Sequence, residues 1–467
     1  MKDMLEGFFE SLETFVETQK QILKNKPKDN YILSFVYPLK FNSFNVNLDE
    51  AVKSGNKCFY FEKPSEELSI LAVDELENIA ENGISRFNAT DKKIKDLRKL
   101  FYSNWDKSIY PLFVGGMKYQ SENDDDEWKD FNDSNWFIPA ICFYRNKENI
   151  SCIYNFYFTT SFEKVKKNFE QKFKEGFFSL TNDESQAVVA DIKGNTPKDK
   201  KKWKNIINTN IEKILDNNVK KVVLSRQLTL TLSKEINLNS AINHLRSEYP
   251  ECATFMFFSK GSIFFGATPE LLAKFTSDKI EVDALAGSAK RGEDTSEDEK
   301  IAQELLNSEK NKTEHQIVIE QIKNILTKYT ISQDFIKHFA LKKLRNIQHI
   351  WSRISGNINK KNTIFSILKD LYPTPAICGE PKEEASNLIK KSEEHSRGLY
   401  SGIIGWFNFD DEGEFVIAIR SALAIKNKLY LYAGCGIIED SNPDEEFKES
   451  ELKFKPILSI FECNENK

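Results

Sequence analysis

A chain of 467 residues, 40% apolar and 29% charged, can bury a substantial core, which excludes general disorder and a collagen-like fibre. Its 66 basic and 71 acidic residues leave a net charge of −5, so electrostatics give no reason to expect nucleic acid as a partner. No run approaches the ~18 consecutive apolar residues of a membrane span, so no membrane association is expected.

Residues 1–25 are amphipathic and carry acids throughout, which predicts a surface helix and not a secretory segment. The aromatic runs at 58–63 and 151–162 read as strands. The run ENDDDEW at 122–128 reads as a solvated loop, since no scaffold for a metal is visible around it. KGNTPKDKKK at 193–202 reads as a connector. It divides a divergent half, 1–195, expected to complete the fold as part of one intertwined domain, from a second region, 196–467. Of 19 glycines, 12 lie after residue 260, a density that marks turns or backbone approaching a ligand.

In this second region a helix is predicted over 199–216, with Trp203, Ile206, Ile207, Ile211, Ile214 and Leu215 on one face. Strand-like runs follow at 221–232, 254–259, 262–267 and 280–287, then a long helix over 297–328. Further strands are predicted at 402–409, 414–425 and 428–438. Many strands on short turns, with long helices between groups, describe an α+β fold of large, mainly antiparallel sheets flanked by helices.

Seven scattered cysteines, at 58, 142, 152, 252, 378, 435 and 463, form no CxxC pair. They suggest neither a disulfide framework nor a zinc ribbon and fit a reducing, cytoplasmic setting. GxxxxGKS and GxxxxGKT are absent, as are HExxH and GxSxG. AGCGIIED at 433–440 lacks the third glycine of a dinucleotide fingerprint. The five histidines show no metal-ligand spacing.

What remains is a set of carboxylates and lysines in apolar settings. Glu314 shares a helical face with Val318, Ile322 and Ile325, so it points inward. A buried carboxylate costs several kcal/mol unless paired or coordinated, so it is either a buried ion pair or a metal ligand. Glu446, Glu449 and Lys453 share a face of a helix starting near Asn442-Pro443. That is either an exposed ion-pair ladder or part of a Mg2+ site, which prefers oxygen ligands. Lys221 opens an apolar strand, where a lysine either snorkels or, desolvated, acts as a base. Glu270 ends the turn FFGATPE, where burial would let a carboxylic acid donate a proton.

KVVLSR (221–226), GATPELL (266–272), ALAGSAKRG (284–292), Glu314-His315, QHIWSRISG (348–356), YPTPAICGEP (372–381), RGLYSGIIGW (397–406), AIRSAL (418–423), AGCGI (433–437) and DEEFKESELK (444–453) occur in this order. Over residues 200–460 the chain thereby resembles the chorismate-using enzymes: the isochorismate, salicylate, anthranilate and aminodeoxychorismate synthases. The resemblance implies two packed antiparallel sheets flanked by helices, with the active site in a cleft between them. Ammonia-using members typically carry Gln where this chain has Lys221, and aminodeoxychorismate synthases a lysine nucleophile where it has Ala286. The loop YPTPAICG, with Ala376 and Ile377, looks like that of the isochorismate-forming branch. That branch is the expectation; a salicylate synthase and a catalytically dead chorismate-binding subunit are the alternatives.

The resemblance further implies Mg2+ on Glu314 and Glu449 with Glu446 close by, Lys221 as base towards water, and Glu270 as acid towards the C4 hydroxyl of chorismate. Arg420 would bind the enolpyruvyl carboxylate. Lys453, His349, Gly287, Ser288, Gly434 and Gly436 would complete the pocket, unless His349 is only a satisfied core histidine. Asn311 stands where many members carry a carboxylate, which weakens a contact behind the metal. No glutamine amidotransferase domain or partner is expected, and a monomer is.

Overall fold

Period-two patterning gives many strands of this chain two apolar faces. Phe255 and Phe257 enter one core while Met256 and Phe258, alternating with them, enter another. The computed structural model describes residues 2–462 apart from 28–29, 40–46, 54, 56, 106–109, 122–125, 175–188, 196–199, 217–218 and 360. Among the described residues, 20 strands form one connected network. The only parallel pairing in it joins Ile32–Leu39 to Phe101–Ser103.

Two sheets grow from a shared ribbon. Ser134–Asn146 pairs with Leu68–Glu81 along its length, across a bulge between Glu75 and Glu77. On its other side, residues 134–137 pair with Phe113–Met117 and residues 141–146 with Asn149–Tyr157. One sheet continues from Leu68–Glu81 through Cys58–Lys63, Ala253–Ser259, Ser262–Thr268, Ser421–Ile425 and Lys428–Ile437 to Lys221–Leu232. The other runs from Phe113–Met117 through Ile403–Phe407, Gly413–Ile417, Leu271–Thr276, Lys279–Lys290 and Ile347–Ile358 to Thr330–Lys343.

A first core draws on both sheets, with Phe59, Phe257 and Phe264 from one and Phe275, Phe407 and Phe415 from the other. A second core covers the first sheet with the helices Lys2–Leu23, Leu238–Glu248 and Pro443–Glu462, which contribute Phe8, Leu12, Ile242 and Ile457. Strands from before residue 195 belong to both sheets: Cys58–Lys63 pairs with Ala253–Ser259, and Phe113–Met117 with Ile403–Phe407.

The expected α+β architecture is present, with local departures. The long helix expected over 297–328 is two, Thr295–Asn307 and Glu309–Leu326. Ser308, extended at φ −70° and ψ 113°, ends one and caps the other by accepting the Asn311 N–H. The strand expected over 414–425 breaks into Gly413–Ile417 and Ser421–Ile425. On the helix Lys200–Asp216, Trp203, Ile207 and Ile214 are buried, but Leu215 is 62% exposed because it lies one residue past the buried stripe. The acidic run is solvated only in part: residues 122–125 lie outside the described residues, and Trp128 is buried. The connector begins with a short strand, Ile192–Asn195, on the edge of Lys221–Leu232.

Candidate active site

Twice the chain passes directly from one sheet to the other. The first crossing joins Ser262–Thr268 to Leu271–Thr276 through Pro269 and Glu270; the second joins Gly413–Ile417 to Ser421–Ile425 through Ala418 to Arg420. The crossings are bonded to each other. The Ile417 N–H donates to the Glu270 carbonyl at 3.0 Å, the Thr268 hydroxyl to the Ile417 carbonyl at 2.6 Å, and the Ala267 N–H to the Arg420 carbonyl at 3.2 Å. Arg420 has the left-handed backbone angle φ 53°, a strained conformation for a residue with a side chain.

Both crossing residues bury an ionisable group. Burial pushes the Glu270 carboxyl up to about 7, despite the pull of Arg420 and with a further push from Asp283. Arg420 is 8% exposed, and burial lowers the pKa of its guanidinium from the ordinary value. Among the described residues neither side chain's charged group has a hydrogen bond or ion pair, although each lies in the field of the other. A buried guanidinium without a counter-ion is a receptor for a carboxylate.

Lys221 lies at the far edge of the first sheet. Its ammonium meets Glu314 Oε1 at 2.6 Å, and Glu314 sits at the head of the apolar face formed by Val318 and Ile322. Glu314 is thus at a rim, with a third of its side chain exposed, and not sealed inside as its helical face suggested. Gly436 makes room for the lysine: a Cβ there would lie 2.6 Å from Lys221 Cε. Gly379-Glu380 pairs with Lys221-Val222, which seats the turn carrying Ala376 and Ile377 beside the lysine. Ile377 is buried, and its carbonyl accepts from Arg397 at 2.8 Å.

The helix Pro443–Glu462 supplies the second acid pair. Lys453 meets Glu449 Oε1 at 2.5 Å and donates to the Gly434 carbonyl at 2.9 Å. Burial works to raise the Glu449 pKa, but Lys453, Arg420 and Lys221 outweigh it and hold the carboxyl below its ordinary range. Burial, and then the Glu449 charge, raise that of Glu446. Glu446 Oε1 accepts from Ser441 at 3.0 Å, while Oε2 is buried without a hydrogen-bond partner. Among the described residues no three His, Cys, Asp or Glu side chains gather into one metal-ready group.

His349 Nδ1 and the Ser288 hydroxyl are 2.8 Å apart, and burial, then Arg420 and Lys453, drive the His349 pKa well down, so the ring is neutral. Its Nε2 is buried with no partner, which is not the state of a satisfied core histidine. Gly287 has φ 75° at a bulge between Ala286 and Ser288, and a Cβ on it would lie 3.2 Å from the Asn311 side chain. Bond, contact or field thus links Lys221 to Glu314, Gly436 and Glu449, Glu270 to Arg420, Lys453 to Glu449 and Gly434, and Ser288 to His349, while Ile377 meets Arg397, outside the expected set.

Two further residues lie against this set without having been expected from the sequence. Tyr400, buried and stacked on Tyr432 at 5.1 Å, has its hydroxyl 3.2 Å from where a Gly434 Cβ would sit. Lys342 comes from the unexpected strand Thr330–Lys343 and donates to the Pro269 carbonyl.

The family described as "Chorismate binding enzyme" matches residues 17–462. The isochorismate synthase MenF of Bacillus subtilis is 32% identical over 377 residues, covering 80% of this chain and 79% of that protein. The isochorismate synthase DhbC of Bacillus subtilis is 31% identical over 264 residues, 55% of this chain and 66% of that one. The fold is that of the menaquinone-specific isochorismate synthase MenF of Escherichia coli, with TM-score 0.79 and 21% identity over 97% of this chain and 100% of that one. Component I of anthranilate synthase from Streptococcus pneumoniae is similar at TM-score 0.71 and 20% identity, over 84% of this chain and 92% of that one. With the match spanning nearly the whole chain and the crossings presenting a buried acid beside an unpaired guanidinium, the chain belongs to the chorismate-binding enzymes.

Proposed function

We propose that this chain converts chorismate to isochorismate by adding water at C2 and expelling the C4 hydroxyl. The observation that carries the reading is Glu270, a buried carboxyl that stays protonated up to about pH 7 next to the receptor Arg420. Arg420 takes the enolpyruvyl carboxylate, the dianionic substrate supplying the missing counter-ion. Lys221, as the neutral amine released from its pairing with Glu314, takes a proton from water as the water oxygen bonds C2, and Glu270, in its protonated form, gives one to the C4 hydroxyl as the C4–O bond breaks and the ring double bonds shift. Each transfer is worth about 10²–10⁴-fold. Lys453, Ser288-His349 and the glycine backbone at 434 and 436 line the ring. The product feeds a menaquinone or an aryl-acid route.

The acids fit a divalent cation. Glu446 Oε2 is buried and unpartnered, Glu314 Oε1 meets Lys221, and Glu449 Oε1 meets Lys453 in the wider field of Arg420 and Lys221. Mg2+ needs one or two carboxylates and keeps waters and a substrate group as its other ligands. Glu314 and Glu449 would hold it, and its charge would offset the ring carboxylate of chorismate.

The test is chromatography of chorismate incubated with the protein and Mg2+. Isochorismate is expected without ammonium or glutamine, EDTA should abolish turnover, and Glu449→Gln should raise the Mg2+ requirement. Salicylate with stoichiometric pyruvate would move the chain to the salicylate synthases. Anthranilate formed only with ammonium would overturn the reading.

A further inference from the structure

The Glu270 carboxyl has no hydrogen bond of its own among the described residues, yet a proton donor must be held to within a fraction of an ångström of the atom it protonates. Backbone bonds hold the crossing on the side of Ile417. The Thr268 hydroxyl adds to them, donating to the Ile417 carbonyl and accepting the Glu270 N–H at 3.2 Å, and from outside the crossing Lys342 donates to the carbonyl of Pro269, the residue before the acid.

Lys342 is itself braced. Its ammonium is 3.8 Å from Asp283 Oδ2 and 5.7 Å from the centre of the Trp351 ring. Asp283 has a side chain only 1% exposed and is gripped by both arms of Arg353, at 2.7 and 3.1 Å. The three residues stand on three neighbouring strands: Lys279–Lys290, Ile347–Ile358 and Thr330–Lys343. The ammonium lies closer to this backbone carbonyl than to the carboxylate it pairs with.

We propose that Lys342, seated on Asp283, is a positioning residue for Glu270: it clamps the Pro269 carbonyl and so fixes the crossing that presents the acid to the substrate. The inference rests on Glu270 being the proton donor. The pair also places two opposite charges near that carboxyl. The charged groups that face Glu270 are Arg420 from the second crossing, Asp283 and Lys342 from the outer strands, and Lys453 from the helix Pro443–Glu462. His349, from Ile347–Ile358, is neutral. Lys342 favours the ionised acid and Asp283 opposes it, so removing either moves Glu270 in a direction known beforehand.

The experiment compares Lys342→Met, Lys342→Arg and Asp283→Asn with wild type, as kcat and KM for chorismate against pH. Lys342→Met should lower kcat by about tenfold or more with KM changed less than about twofold, because the donor is displaced while Arg420 still binds. Its alkaline limb should move up by about half a pH unit, and that of Asp283→Asn should move down. Lys342→Arg should restore both kcat and limb. A 13C titration of the Glu270 carboxyl, assigned by its loss in Glu270→Gln, should show the same opposite displacements without any reliance on turnover. Limbs and titration that stay put in both variants, or a kcat loss that arginine does not rescue, would overturn the proposal. Wild type that makes no isochorismate, yet shows the displaced titrations, would overturn the reaction assigned above and leave the clamp standing. Should Lys342→Met lose its cooperative melt, Lys342→Gln keeps an N–H donor, removes the charge, and must still move the titration upward.

Discussion

Glu270 and Arg420 present opposite faces of one burial cost. An acid whose folded pKa is raised to about 7 from 4.5 contributes stability that is complete below about pH 4.5 and is lost as the pH rises through 7. The loss amounts to about 3 kcal/mol, the cost of ionising a buried carboxyl. Glu270→Gln should therefore melt above wild type at pH 8 and show no such gain at pH 5, while losing turnover at both; calorimetry at the two pH values checks this. Arg420→Met should likewise melt higher, because a buried cation without a partner is removed, and should weaken chorismate binding by about 10²-fold, measured by titration calorimetry. A melting temperature lowered by the substitution would mean that the guanidinium has a structural partner. Glu270 was legible because it ends a strand-like run at a turn, whereas Arg420 lay inside a run read as one strand and came only from the resemblance carried by AIRSAL. Lys342 was not legible: it lies in a strand exposed on both faces over 334–338, so no alternation announces it. Tyr400 sits in a motif that was read, but nothing in spacing distinguishes its ring from the apolar residues around it.

Between residues and fold, the elements show what periodicity can carry. The apolar stripe through Val318 and Ile322 placed Glu314 on the helix, but not how far the helix end projects, so the carboxylate emerged at a rim. Ser308 was invisible as a break because one extended residue between two helices leaves both stripes nearly in phase. The break at Arg420 was hidden the same way, since the flanking strands are both apolar. Gly436 tests how tightly an element sets the site. In Gly436→Ala the new methyl meets the mobile end of Lys221, not backbone, so the fold should survive and the lysine should move. Turnover should fall by about 10²-fold with little change in the denaturation midpoint; unchanged turnover would show that Lys221 works from another position.

At the scale of the whole molecule, the first core takes Phe59, Phe113 and Trp136 from one half of the sequence and Phe257, Phe407 and Phe415 from the other. A fragment of residues 196–467 would leave the edges of Ala253–Ser259 and Ile403–Phe407 unpaired and this core half empty. It should be recovered as aggregate, and a monomeric fragment with a cooperative melt would show the halves to be separable. No described helix is long and apolar enough to cross a membrane. The mutual bonding of the two sheet crossings has a consequence for descent. A residue inserted into either crossing would throw the other out of step, because Thr268 and Glu270 bond to Ile417 and Ala267 to Arg420. Surface loops absorb added length at small entropic cost; here length is locked in pairs. Lineages that adapt this scaffold to other ring substrates are confined to exchanging side chains around a seam of constant length.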